Sequence, residues 1–344
     1  MSLKDEIHDQ PAVLSRILQS QADPIRRIAA ELEKQQVHSV LLAARGTSDN
    51  AGVYAKYLWG AFNRLPVAMA APSLFSCYKK LPAFKDTLVV AISQSGESPD
   101  IVGVVEEGYR QGAPTLAITN EVDSPLARAA HAAIDICAGD EKAVAATKTY
   151  TATLLLLAMI AAELSDAPVE GDLLALPEAL ASVLDLDDEA ARIAADMSDM
   201  NRCVILGRGY HYATAREWAL KLKELSYTLA DPYSSADFIH GPLALIEAGF
   251  PTFCVAPSGA TEADMRAVIE RLGGELEAHL LIVSDSAELR ARGTWSLPLP
   301  PSVPEWLMPI VSIVPGQLHA RQVTLAKGGD PEQPRSIRKV TLTN

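Results

Sequence analysis

The chain has 344 residues, 49% of them hydrophobic, and a formal net charge of −13. That length accommodates two domains of ordinary size, and the composition is that of a globular protein. The acidic balance argues against a nucleic-acid backbone or an anionic membrane as partner, since both demand the opposite sign; an anionic small substrate would need a local N–H-rich or basic pocket.

In chain order, residues 1–36 are expected to be N-terminal helices, two of them from about residue 4, the second capped by Asp23 ahead of Pro24. A first α/β domain is expected over 37–165. Its strands are read at Ser39–Ala44, Val67–Ala70, Leu88–Ile92, Thr115–Thr119 and Ala132–Cys137. Helices are read at Ala51–Phe62, from Asp100 to Gln111, briefly after Ser124-Pro125, and from about Ala145 to Leu164. Residues 165–171 read as a linker and about 172–199 as one helix. The second domain spans 172–327, with strands at Cys203–Leu206, Thr252–Ala256 and Leu280–Val283. Helices are read there at Tyr212–Tyr227, Glu262–Leu272 and Pro304–Leu325, and 328–344 is a tail. Such βαβ alternation with short loops predicts parallel sheets covered by helices on both faces.

The longest largely apolar run, Ala152–Ala162, is 11 residues with Thr153 inside it, too short for a membrane span, and the N-terminus shows no basic-then-apolar secretory pattern. A cytoplasmic location is expected. Cys77, Cys137, Cys203 and Cys254 form no metal-ligand pattern. The last three lie in strand-like runs, which predicts buried free thiols.

Arg45-Gly46 recurs 163 positions later as Arg208-Gly209, and Ser95-Gly96 recurs at the same offset as Ser258-Gly259, each between a strand and a helix. Equal offset and equal context indicate a duplicated unit. Thr47, Ser93 and Gln94 become Tyr210, Ala256 and Pro257, so the hydroxyls and amide suited to an anion are expected to survive in the first copy alone.

That first copy carries Ser93-Gln94-Ser95-Gly96-Glu97-Ser98-Pro99 between an apolar strand and a helix, with Ser98 as N-cap and Pro99 at the first helical position. Free N–H groups, the positive end of a helix dipole and several hydroxyls make a cradle for an anion, most plainly a phosphate monoester; an ordinary polar turn is the plain alternative. Gly46-Thr47-Ser48 is a second hydroxyl-rich turn at the carboxyl end of the first strand, where ligands of open parallel sheets bind, and the two turns together favour an anion site. Val144-Ala145-Ala146-Thr147-Lys148 is a third candidate, though Lys148 alone reads equally as a surface lysine. In the second copy, Lys221 and Glu224 share a helical face, which a structural ion pair or a general base would explain. His240 sits in a loop beside Gly241-Pro242 and reads as incidental or catalytic.

These stretches, with Gly207-Arg208-Gly209, Ala219-Leu220-Lys221-Leu222-Lys223-Glu224, His240-Gly241-Pro242-Leu243-Ala244 and the tail Gln333-Pro334-Arg335 with Lys339, resemble tandem sugar isomerase (SIS) domains. Within that family they are similar to the isomerase half of glutamine–fructose-6-phosphate aminotransferase, in the same order over nearly the whole chain. The resemblance implies two flavodoxin-like, doubly wound domains and a sugar-phosphate substrate. Ser48, Ser93, Gln94, Ser95 and Ser98, with Gly46, Thr47 and Gly96 in the same turns, would hold the phosphate. Glu224 would move a proton between C1 and C2, and His240 would assist ring opening, from the other subunit of a homodimer. Lys339 would close over the site and form an imine with the keto sugar, while Val144 and Lys221 would line the pocket. No metal or organic cofactor is implied.

Three departures bear on function. Ser98 stands where the family has threonine, Asp237 where it has glutamate, and Arg45 where it has cysteine. Arg45 would add charge for the phosphate or simply lie on the surface. Residue 2 is Ser and only 45 residues precede Gly46, so no glutaminase domain with its N-terminal cysteine is expected. The resemblance then implies a stand-alone deaminase converting glucosamine 6-phosphate to fructose 6-phosphate and ammonia. Galactosamine 6-phosphate, a fructosamine phosphate, plain aldose–ketose isomerisation and a non-catalytic sugar-phosphate sensor are the alternatives.

Overall fold

The structure, a computed structural model, describes residues 1–165 and 168–339. Linker residues 166 and 167 and tail residues 340–344 lie outside the described residues. Packing divides the chain into two compact units. The first holds Ala12–Glu141, Lys148–Leu174 and the chain from Arg338; the second holds Met1–Pro11, Lys142–Thr147 and Ala175–Ile337.

The first unit is built on strands β1 (Ser39–Ala43), β2 (Val67–Met69), β3 (Thr87–Ile92), β4 (Thr115–Thr119) and β5 (Ala132–Asp135). They form a parallel sheet in the order β2-β1-β3-β4-β5. β3 and β4 are almost wholly buried, as their unbroken apolar runs require of strands covered on both faces. The helix Lys148–Glu163 is buried continuously from Lys148 to Ala161 and packs against the helices Thr47–Asn63 and Ala22–Lys34. Each leucine it removes from water contributes about 1.5–3 kcal/mol, which makes it the unit's main anchor. The Trp59 indole N–H donates to the carbonyl of Leu157 at 3.2 Å.

The second unit repeats this plan with β6 (Arg202–Gly207), β7 (Leu229–Ser234), β8 (Pro251–Val255), β9 (His279–Ser284) and β10 (Trp295–Pro298). Their order, β10-β9-β8-β6-β7, is the order of the first sheet read from the other edge, and all pairs are again parallel. The buried helix here is Met308–Ala326, whose Gly316 lies so close to Trp218 that a Cβ would stand 2.9 Å from its ring.

The fold differs from the sequence expectation in several places. The N-terminal segment forms three helices, Leu3–His8, Gln10–Ser20 and Ala22–Lys34. Asp23 is no cap: it lies inside the first turn of the third and pairs with Arg26 at 2.7 Å. The helix expected over 172–199 is three short ones, Glu170–Leu174, Leu176–Leu184 and Asp187–Ala195, because Pro177 and the acidic run from Asp187 each open a new helix. The edge strands β7 and β10 escape sequence reading because they are half-exposed and carry Pro232 and Pro298, which an edge tolerates. Cys137 lies beyond β5 in a left-handed conformation (φ 55°), half-buried, with the Gln21 amide donating to its sulfur at 3.1 Å. It is not the buried strand thiol expected. The second copy also keeps two hydroxyls of the cradle, Ser258 and Thr261, at the positions of Ser95 and Ser98.

Candidate active site

In the first unit β1 and β3 are neighbours whose connections leave in opposite directions, to β2 and to β4. Their carboxyl ends therefore border the crevice where open parallel sheets receive ligands. After β1, Gly46 takes a left-handed backbone (φ 56°) and forms the N-cap of the helix Thr47–Asn63. The helix begins four residues earlier than its apolar pattern suggests, so Thr47 and Ser48 occupy its first turn at the positive end of the helix dipole, where the Ser48 N–H donates to the Arg45 carbonyl at 3.1 Å.

After β3, the Ser93 hydroxyl oxygen accepts the Gly96 N–H at 3.1 Å, and the Ser95 oxygen accepts the Glu97 N–H at 3.3 Å. With amides directed at their lone pairs, both hydroxyls remain able to donate outward. Gly96 is required: its φ is 62°, and a Cβ would stand 2.1 Å from the Ser124 hydroxyl. The Asn120 N–H donates to the Gln94 carbonyl at 3.1 Å, fastening the turn to the end of β4. Ser98 is the N-cap residue of the helix Pro99–Arg110, but its side chain makes no capping bond.

The two turns are strapped together by Arg45. Its Nε and Nη2 both donate to Asp100 Oδ2, at 2.9 and 2.7 Å, and the Asp100 side chain is only 1% exposed. Arg45 is thus neither idle on the surface nor an unengaged cation. Asp100→Ala should lower stability by about 1–3 kcal/mol. It should also weaken binding of inorganic phosphate at the two turns, which titration calorimetry and thermal melts would check.

The tail reaches the same end of this sheet. Residues 136–141 leave β5 at its carboxyl end, where the Ile136 N–H donates to the Thr119 carbonyl at 2.9 Å and the Ala138 N–H to the Asn120 side-chain oxygen at 3.0 Å. They deliver Glu141, whose buried carboxylate accepts from the Thr149 N–H and hydroxyl and pairs with Lys339 Nζ at 2.5 Å. Lys148 is buried at the start of its helix, not a surface lysine. Val144 is half-buried in the 142–147 segment of the second unit.

In the second unit the helix His211–Lys221 passes into a π-helical turn, Leu222–Ser226, which ends at Tyr227 in the left-handed conformation. A continuous α-helix was the sequence expectation. Such widened turns are frequent at functional sites, although this unit has a second one at Arg271–Glu275. Lys221 Nζ lies 3.3 Å from Glu217 Oε1 and 2.6 Å from Glu224 Oε2. Burial opposes the Lys221 charge, but the two carboxylates outweigh it and hold the ammonium above its ordinary pKa. Glu217 and Lys221 are buried, whereas Glu224 keeps 24% of its side chain exposed. A carboxylate steadied by a buried ammonium and open on one side can take up and return a proton. Sequence reading missed Glu217, though its position four residues before Lys221 on one helical face was available.

His240 follows the short helix Ser235–Phe238 on an exposed loop, flanked by exposed Ile239 and Leu245. Among the described residues no hydrogen bond or ion pair joins it to Glu224. No group of three or more metal-ligating side chains occurs among the described residues, and none of their helices is long and apolar enough to cross a membrane.

The SIS domain sequence pattern matches residues 34–163 and 196–293. The chain belongs to the SIS domain family. It is 34% identical over 340 residues to glutamine–fructose-6-phosphate aminotransferase [isomerizing] of Pyrococcus horikoshii, covering 97% of this SIS chain and 56% of that relative. The chain thus spans little more than half the length of the curated relative. A solved structure from Silicibacter pomeroyi, provisionally named a phosphosugar isomerase, is 32% identical with a TM-score of 0.86, over 96% of this chain and all of that one. The C-terminal domain of glucosamine-fructose-6-phosphate aminotransferase from Francisella tularensis is 28% identical with a TM-score of 0.85, over 96% and 98% of the two chains.

Proposed function

We propose that this SIS protein interconverts an amino sugar 6-phosphate and its ketose, and that glucosamine 6-phosphate is deaminated to fructose 6-phosphate and ammonia. The observation that carries the reading is Glu224, partly open and paired to an ammonium that is buried between two carboxylates. The likeness to an isomerizing aminotransferase of fructose 6-phosphate supports the substrate class. A catalyst of amine addition to a ketose also catalyses its removal.

In this reading Ser48, Ser93, Gln94, Ser95 and Ser98 hold the phosphate through hydroxyls and amides, with Gly46, Thr47 and Gly96 shaping the turns. His240 moves the proton that opens the pyranose ring, and we assign it to the partner subunit of a homodimer. The exposed Ile239 and Leu245 beside it support a second copy as their cover. Glu224 takes the proton from C2 of the open-chain amino aldose and returns it to C1, leaving an imine at C2. Water adds to that imine and ammonia leaves, so one sugar and one water give one ketose and one ammonia. Lys339 has the amine that can form an imine with the ketose, and its pairing with Glu141 supports a place for it on the unit that carries the phosphate turns. Val144 and Lys221 line the pocket.

The direct experiment measures ammonia release from glucosamine 6-phosphate, galactosamine 6-phosphate and fructosamine 6-phosphate, with ketose formation from glucose 6-phosphate alongside. Ammonia from glucosamine 6-phosphate at the highest kcat/KM is expected. Ketose formation without ammonia from any amino sugar would replace this reading with a plain isomerase.

A further inference from the structure

The second unit repeats the two-turn cradle and fills it with its own carboxylate. Arg208-Gly209 follows β6 and Ser258-Gly259 follows β8, adjacent strands corresponding to β1 and β3. The strap is not repeated in kind: Arg208 Nη2 lies 3.2 Å from Asp264 Oδ2, but Asp264 is exposed and one position past the counterpart of Asp100, which is Ala263. The turns converge, since a Cβ on Gly209 would stand 3.3 Å from the Thr261 methyl.

Into this cradle comes Glu305, from the loop ahead of the helix Met308–Ala326. Its Oε2 accepts the Ala260 N–H at 2.8 Å, and the Thr261 hydroxyl donates to its Oε1 at 3.5 Å. A Cβ on Gly259 would stand 2.3 Å from the Glu305 carboxyl carbon, so this glycine is kept bare by the carboxylate lying over it. Burial first, and then the charge of Glu305, push the phenol of Tyr210 up; Tyr210 stands at the position of Thr47. At the start of the same turn the Ser258 N–H donates to Asp285 Oδ1 at 2.7 Å. His211, at the position of Ser48, is 1% exposed with neither ring nitrogen hydrogen-bonded, and burial pushes it down to about 3, so the ring is neutral.

A carboxylate is an anion that only accepts hydrogen bonds, which makes it a fair substitute for two oxygens of a phosphate. We propose that Glu305 is the resident anion of a second cradle, and that it keeps this cradle closed to tetrahedral oxyanions such as phosphate. Duplication therefore left one cradle for an external phosphate and one satisfied internally. The Ala260 amide and the Thr261 hydroxyl, which would otherwise face solvent unpaired, hold the Glu305 loop instead.

The test uses the full chain carrying Ser93→Ala and Ser98→Ala, which removes two hydroxyls from the first cradle, with and without Glu305→Ala. Thermal melts are followed while inorganic phosphate replaces chloride at constant ionic strength. Glu305→Ala should lower the melting midpoint, and phosphate should raise it again in a saturable way that the protein retaining Glu305 does not show. Glu305→Gln, equal in size and uncharged, should show the same gain more weakly. If Glu305→Ala does not fold in chloride, recovery of its circular dichroism in phosphate is the expected result. Two folded variants that melt identically in phosphate and chloride would overturn the proposal, as would equal saturable stabilisation of the protein that keeps Glu305. Neither outcome depends on which sugar the first cradle takes.

Discussion

Glu224→Gln should lower kcat for ammonia release by about 10²–10⁴-fold, the range that a positioned acid–base group supplies. KM should stay within a fewfold. Glutamine matches the volume of glutamate and still offers an oxygen to Lys221, so the π-helical turn and the buried ammonium are preserved. What is lost is the capacity to hold a proton between its removal from C2 and its delivery to C1. Two measurements separate this from misfolding: the melting midpoint should move by only a few degrees, and solvent deuterium should cease to enter C1 of the product. A variant that keeps kcat within tenfold would show that the proton transfer belongs to another group, and the proposed mechanism would fall with it.

The local features of this protein were legible in its sequence because they are made by neighbours in the chain. The Ser93 turn combines an apolar strand, a glycine that must be left-handed, a capping position and a proline, all within a few residues. The pairing of Lys221 with Glu224 follows from helical spacing alone. What escaped depends on distant partners or on small energetic choices. Lys339 meets Glu141 across 198 positions, and Glu305 meets Ala260 across 45; no periodicity announces either. The strap from Arg45 to Asp100 was missed because an exposed guanidinium and a first-turn aspartate each have ordinary explanations of their own. The π-helical turn at Leu222–Ser226 changes one hydrogen-bond register without changing the side-chain pattern, and so left no mark on composition.

The largest loss of stability is expected from Lys221→Met, about 3–5 kcal/mol at neutral pH, because it strands the carboxylate of Glu217, which is fully buried, beside that of Glu224. The pH dependence identifies the cause. In the native protein Lys221 has a folded-state pKa above its ordinary value, so its contribution is complete below the unfolded ammonium pKa and is lost only as pH rises through the folded one. Neutral pH leaves it intact. In the variant the group that matters is Glu217, whose buried carboxyl should be pushed above the carboxylate range once its counter-charge is gone. A raised carboxyl pKa favours folding below the unfolded carboxyl pKa, and the benefit drains away as pH rises through the folded one. The deficit of Lys221→Met should therefore be smaller near pH 5 than near pH 8, on the order of 1.4 kcal/mol for each pKa unit spanned. Adding Glu217→Gln should recover much of the loss and flatten the pH dependence, since no buried charge then awaits a partner. Urea unfolding of the three proteins at the two pH values measures all of this. A deficit equal at both would mean that Lys221 is held by packing and not by its two carboxylates.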